Sequence, residues 1–211
     1  MASSEVEIAN SALIKIGEDT ISSLDDPIKA ARRCKRQYPL KRDQLLEDYN
    51  WTFAIARASL APDGTAPAFG FEARFLLPHD SLRFLGLFDE NQAVHQYTAT
   101  KVAHKIEGRY LLLSDTVANI FYIQKVTNPH QFSPQFTEAL ATLLAIDLAY
   151  DLTSGTKRVA QLENQFNGMI RRARFVQAIQ GLPETIVSSE WLDARDQGFR
   201  GPFNIGPVEG W

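Results

Sequence analysis

Cysteine is nearly absent from this 211-residue sequence, and the single one, Cys34, excludes both an internal disulfide and a thiolate zinc cluster. Folding therefore needs no oxidising compartment. Histidine is sparse too: among His79, His95, His104 and His130 no pair stands at i, i+4 on an expected helix, the spacing a helical zinc site needs. A glycine-rich phosphate loop and a nucleophile elbow are both missing. No apolar run approaches the roughly 20 residues that cross a bilayer, and Met1-Ala2-Ser3-Ser4-Glu5 is acidic where a secretory leader is basic. These features predict a chain made and folded in cytosol, without membrane insertion. Neither sign of charge dominates: 22 Lys+Arg against 25 Asp+Glu leave a net −3, so any basic footprint for nucleic acid must be local.

What is present is the composition of a folded chain, 45% hydrophobic and 22% charged, long enough for one ordinary domain or two small ones sharing a core. Ser4 and Glu7 have the spacing of a capping box, with Ile8, Ala12, Leu13 and Ile16 at helical intervals behind them and Gly17 as the stop. This predicts a helix over 4–16. Asp25-Asp26-Pro27 reads as a cap followed by proline in the first helical position, opening a second helix whose Ala30, Ala31, Cys34 and Tyr38 share a face. Pro39 is expected to break or kink it.

From about 51 to 128 short apolar runs alternate with Gly, Pro, Asn and Asp, which predicts strands near 71–77, 82–88, 93–98, 102–106, 109–113 and 119–126 in one mainly antiparallel sheet. Glu107-Gly108 has the residues of a hairpin turn. Ser133-Pro134 opens a helix to about Thr153 in which Glu138 and Asp147 are the only charges up to Tyr150, a pattern that belongs at the centre of a fold. A longer helix follows Gly155, with Leu162, Phe166, Met169, Ile170, Ala173 and Val176 on one stripe. The reading is an α+β fold: a helical bundle from residues 1–60 and 129–180, an inserted β-rich region over 61–128, and an extended C-terminal arm over 181–211. The arm holds five glycines and three prolines, with Trp191, Phe199, Phe203 and Trp211 spaced along it as apolar anchors for a neighbouring subunit or another partner.

Candidate sites are few. Lys29, Arg32, Arg33, Lys35, Arg36, Lys41 and Arg42 contain no acid between them, and Lys29, Arg32, Arg33 and Arg36 fall opposite the Ala30/Cys34/Tyr38 face. That stripe reads either as a solvated or inter-subunit ion-pairing face or as a contact for nucleic-acid phosphates. Asp147 lies within the Phe136/Leu140/Leu143/Tyr150 stripe, so a buried ion pair is expected, with an arginine of a packed helix or of a neighbouring subunit. The consecutive His79-Asp80-Ser81 name a hydrolase triad but cannot assemble one, and read as a turn. Glu18/Asp19 and Asp25/Asp26 read as caps and loop polarity rather than as glycosidase carboxylates. No catalytic, cofactor or metal-binding residue is expected.

A resemblance adds what the residues alone do not. The opening Met1-Ala2-Ser3-Ser4-Glu5, the segment Tyr38-Pro39 to Arg42-Asp43 with Leu45-Leu46, Asn50-Trp51-x-Phe53-Ala54 and Arg57-Ala58-x-Leu60-Ala61 come first. Leu77-Pro78-x-Asp80-x-Leu82-Arg83, Tyr122-Ile123-x-x-Val126 and Phe132-x-Pro134-x-Phe136 with Ala139-Leu140-Ala141 follow in order. Together they resemble tail tubular protein A, the head-to-tail adaptor of short-tailed bacteriophages, over about residues 1–180, with Trp191 and Ala194-Arg195 as a weaker continuation. The resemblance implies a non-enzymatic structural protein of the virion tail, made in the host bacterial cytoplasm. Twelve copies would form a ring on the portal protein, extend the channel for genomic DNA, and present a platform to the tail nozzle and tail fibres. A tail-associated saccharide or cell-wall hydrolase is the alternative. A DNA-binding packaging factor, resting on the 29–42 stripe alone, is a third.

Overall fold

In the computed structural model, which describes residues 4–88, 102–152 and 156–180, the chain is a mixed α+β protein of four helices and two small antiparallel sheets. Helix α1 spans Glu5–Ile16 and is closed at both ends as its sequence predicts. The Ser4 side chain accepts from the Glu7 amide at 3.1 Å while the Glu7 carboxylate accepts from the Ser4 amide at 2.8 Å, satisfying two donors that no helical carbonyl reaches. Gly17 ends the helix at φ +85°, a left-handed conformation that a side chain disfavours.

Helix α2 covers Lys29–Asp48. It starts later than the Asp25-Asp26-Pro27 signal predicts, because the Asp26 carboxylate is used within the preceding loop, accepting from the Ser22 and Ser23 amides at 2.9 and 3.0 Å. The helix also runs through Pro39 without ending. Proline removes one backbone donor there, but Tyr38, Arg42, Leu45 and Leu46 are buried on either side of it, and this burial holds the two halves as one helix.

A short 3-10 turn at Thr52–Ala54 leads into β1 (Ile55–Leu60), followed by β2 (Ala73–Leu76), β3 (Ser81–Leu87), β4 (His104–Glu107), β5 (Tyr110–Leu113) and β6 (Ala118–Gln124). These strands form two three-stranded sheets, in the orders β1-β6-β3 and β2-β5-β4, not the single sheet expected. The pleat explains the division. Along β6, Ala118, Ile120 and Tyr122 point to one side, where they join Phe75, Leu77, Leu87, Leu111 and Leu113 in a core between the sheets. Ile123 points to the other side and enters the helical core. The run 120–123 is therefore buried on both faces and shows no alternation from which a second sheet could be inferred. Strand β1 falls at 55–60, where no strand was expected, and the strand expected at 93–98 lies outside the described residues. The hairpin between β4 and β5 turns at Gly108, φ +60°, as Glu107-Gly108 predicts.

Helix α3 (Pro134–Leu152) is the axis of the larger core. Ser133 Oγ caps it through the Phe136 amide at 3.2 Å. Phe136, Ala139, Leu140, Ala141, Leu144, Ala145, Leu148 and Ala149 are all buried, and α1 and α2 pack against it. Helix α4 (Thr156–Gln180) contributes Val159, Leu162, Ile170 and Ala173 to the same core. The N-terminal helices and the 134–180 pair thus bury their apolar faces together, with the strands inserted between them in sequence. Residues Met1–Ala178 make one compact unit.

Trp51 joins the parts. Its indole Nε1 donates to the Leu45 carbonyl at 2.8 Å, and its ring meets Phe136 edge-on at 5.0 Å. Phe53 and Phe132 close the cluster, with ring centroids 5.8 Å apart and each about as close to Phe136. Trp51→Ala should therefore cost about 3–5 kcal/mol, the usual loss for a buried aromatic. Gly17→Ala should cost only about 1 kcal/mol, because a Cβ there meets nothing within 4 Å and only the positive φ is unfavourable. Urea unfolding of the two variants checks both, and equal losses would contradict the ranking.

Candidate functional site on the second helix

The cations of 29–42 divide into two sets once the helix is packed. At about 100° per residue, Ala31, Cys34, Tyr38, Arg42 and Leu45 turn inward, while Lys29, Arg32, Lys35 and Arg36 are exposed and Arg33 is half-buried. Arg42 is 5% exposed despite its charge. Its guanidinium bonds Asp43 through Nε and Nη2, both at 2.8 Å, and Lys125, just past β6, reaches the same carboxylate at 2.7 Å. This shared carboxylate ties α2 to the sheet. Lys41 also turns inward.

Asp147 pairs with Lys41 at 2.8 Å. The partner is a lysine of α2 where an arginine was expected, and the carboxylate is partly exposed, not fully buried. A second acid of α3, Glu138, meets Lys15 of α1 at 2.5 Å. Glu138 and Asp147 are thus both matched by lysines whose own side chains are largely covered, 17% and 18% exposed. Sequence reasoning found Asp147 but not Glu138, since the identity of a partner 123 residues away depends on how the helices cross.

Lys35 pairs with Asp25 on the surface, where solvent makes such a contact weak. No carboxylate meets the guanidinium groups of Arg32 and Arg36 among the described residues. Together with Ile28 and Leu40, which are 45% and 61% exposed, they make a cationic face with apolar ends. Of the predicted stripe, the structure keeps Lys29, Arg32, Arg33 and Arg36 on the side away from the core and takes Lys41 and Arg42 out of it. Trp191, Phe199, Phe203 and Trp211 lie outside the described residues.

The remaining polar groups serve packing. Asp80 accepts from Gln124 Nε2 at 2.7 Å and bonds Tyr122, whose phenol is pushed up first by burial and then by that carboxylate. His79-Asp80-Ser81 is accordingly a turn, with the Ser81 amide bonded to the Pro78 carbonyl at 3.0 Å. No group of three or more histidine, cysteine or acidic side chains with metal-site geometry occurs among the described residues, and no described helix is long and apolar enough to cross a membrane. Burial pushes the Cys34 thiol up to about 11, so it stays protonated and unreactive at neutral pH. Tyr38 is raised as well, by burial first and then by Glu5, against a lowering by Arg42.

Two predictions follow from these groups. Asp147→Ala should cost about 1–2 kcal/mol, less than a fully buried pair because both ends touch solvent, and adding Lys41→Met should recover most of it. A double-mutant cycle in urea measures this coupling; additive losses would contradict it. Stability should also fall at alkaline pH. In the unfolded chain the thiol ionises near its ordinary 9.0, whereas the folded one holds its proton to about 11. The unfolded state is therefore favoured progressively as pH rises from 9 to 11. The raised tyrosines act in the same direction from about 10 upward. Cys34→Ala should flatten the lower part of this decline, followed by thermal unfolding across pH 7–11.

No protein-family model matches the chain, and no curated protein matches it.

Proposed function

We propose that the protein is a structural component of a phage tail, an adaptor ring that joins the portal to the nozzle and fibres and extends the DNA channel. The observation that supports this reading is where the resembling motifs meet. Trp51 and Phe53 of the Asn50-Trp51-x-Phe53-Ala54 element stack with Phe132 and Phe136 of the Phe132-x-Pro134-x-Phe136 element. Arg83 of the Leu77–Arg83 element bonds the Asn50 side chain, and Arg42-Asp43 is the ion pair to which Lys125 adds. Segments far apart in sequence therefore serve one junction between helices and sheet.

An adaptor also needs surfaces for neighbours. The Arg32/Arg36 face offers cations to an acidic patch of the next copy or to DNA phosphates in the channel. A head-to-tail contact that closes by rotation makes a ring, and the aromatic residues of 181–211 are suited to hold such a contact or one to the portal. The virion tail is the proposed location.

Mixing the purified protein with portal rings and following sedimentation and particle images tests the reading. A ring forming on the portal is expected, and no ring with or without portal would overturn it. Arg32→Glu with Arg36→Glu should weaken ring assembly or DNA retention while leaving the unfolding curve within about 0.5 kcal/mol, as both groups are exposed. Normal assembly and normal DNA retention together would reduce that face to a solvated one.

A further inference from the structure

Among the described residues, strand β1 is an open edge. It lies at the margin of the β1-β6-β3 sheet and pairs with β6 in unbroken register from Ile55↔Ile123 to Leu60↔Ala118. The Ile55 amide closes the preceding turn, but from Ala56 to Leu60 no backbone group is bonded on the side away from β6 among the described residues. The other edges are blunted. On β2, the Arg74 carbonyl is taken by the Asp63 amide at 2.7 Å. Strand β3 carries two register shifts, and β4 is four residues long with a Lys105–Glu107 ion pair on it. Bulges, prolines, short length and charges are the usual guards of a sheet edge; β1, six residues long, has neither bulge nor proline, and its one charge, Arg57, is stacked on Phe121.

A second, independent feature sits beside that edge. Arg57 lies with its guanidinium 4.9 Å over the Phe121 ring, its cross-strand partner, and among the described residues it meets no carboxylate. It borders a cavity of about 360 Å³ that Ala58, Ser59, Phe88, Asn119, Ile120 and Phe121 also line. The other face of β1 is different. Ala56, Ala58 and Leu60 lie half-buried against the core between the sheets.

We infer that β1 binds an extended segment of another protein by strand addition, and that this segment alternates apolar residues with acidic ones. Main-chain hydrogen bonds to Ala56–Leu60 supply the attraction, and side chains of period two supply the selection. On one face the partner's apolar side chains cover Ala56, Ala58 and Leu60. On the other a carboxylate meets Arg57, whose planar donors suit a bidentate acceptor. The stack on Phe121 holds the guanidinium in place, lowering the entropy lost when the carboxylate arrives. This inference stands apart from the adaptor reading, since it rests only on the edge and on Arg57.

The test uses the full chain and fluorescent seven-residue peptides. One alternates isoleucine with glutamate, a second alternates isoleucine with lysine, and a third is the glutamate peptide N-methylated at alternate residues so that one edge cannot donate. Anisotropy should show the glutamate peptide binding, the lysine peptide roughly tenfold weaker or more, and the N-methylated one not at all. Arg57→Glu should reverse the order of the first two, and Arg57→Gln should remove the difference. Thermal unfolding confirms that each variant is folded. Equal binding of the glutamate and lysine peptides, undiminished binding of the N-methylated one, or no binding at about 1 mM peptide would overturn the inference. So would a dimer of the protein alone that Arg57→Glu abolishes, since the edge would then belong to a second copy.

Discussion

Burying α3 on several sides is the constraint from which the rest of the arrangement follows. Ten of its side chains from Phe136 to Ala149 are buried, so it needs neighbours around most of its circumference, and one helix or one sheet cannot supply them. Helices α1, α2 and α4 and the strand carrying Ile123 do so together. The same burial makes Glu138 and Asp147 expensive unless they are matched, and the matching cations come from two different helices, Lys15 of α1 and Lys41 of α2. Each pair fixes where its helix can lie along α3. Apolar packing supplies the attraction, and the two ion pairs select among the ways of packing.

The inserted strands are anchored to that centre at one place. The aromatic cluster of Trp51, Phe53, Phe132 and Phe136 lies where the chain leaves α2 for β1 and where it returns to α3. Asp43 repeats the connection in polar form, holding Arg42 of its own helix and Lys125 at the end of β6. Among the described residues, a sheet attached at its base has no helix packed on its far half. That is why the Ile123 end of the β1-β6-β3 sheet is core while the Arg57 and Asn119 end borders an open cavity. Surface available for partners is thus a consequence of how the insertion is tethered.

The cationic face of α2 has the same origin. A helix of twenty residues with seven cations among its first fourteen places some of them inward whatever their charge, and the fold resolves this by giving Lys41 and Arg42 acidic partners. The cations left outward are those the core does not need. Such a face suits a role in assembly, where charge steers neighbours together, better than a role in holding the monomer.

Local features were legible in the sequence because their causes are local. The Ser4/Glu7 capping box, the Gly17 stop, the Gly108 turn, the Ser133 cap and the central position of the 134–152 helix all depend on residues within a few positions of one another. The outward position of Lys29, Arg32 and Arg36 follows from helical periodicity alone, whereas Arg33 is half-buried. Helix α2 starts beyond its sequence signal because Asp26 serves the loop before it, and Pro39 does not break it because burial on both sides outweighs one lost backbone bond. What only the tertiary structure decided were pairings between distant segments. The division of the strands into two sheets, the β1 strand, the choice of Lys41 for Asp147 and the stacking of Arg57 on Phe121 depend on crossing angles and strand register. These are set by the summed packing of the whole core, and no short window of sequence contains that sum.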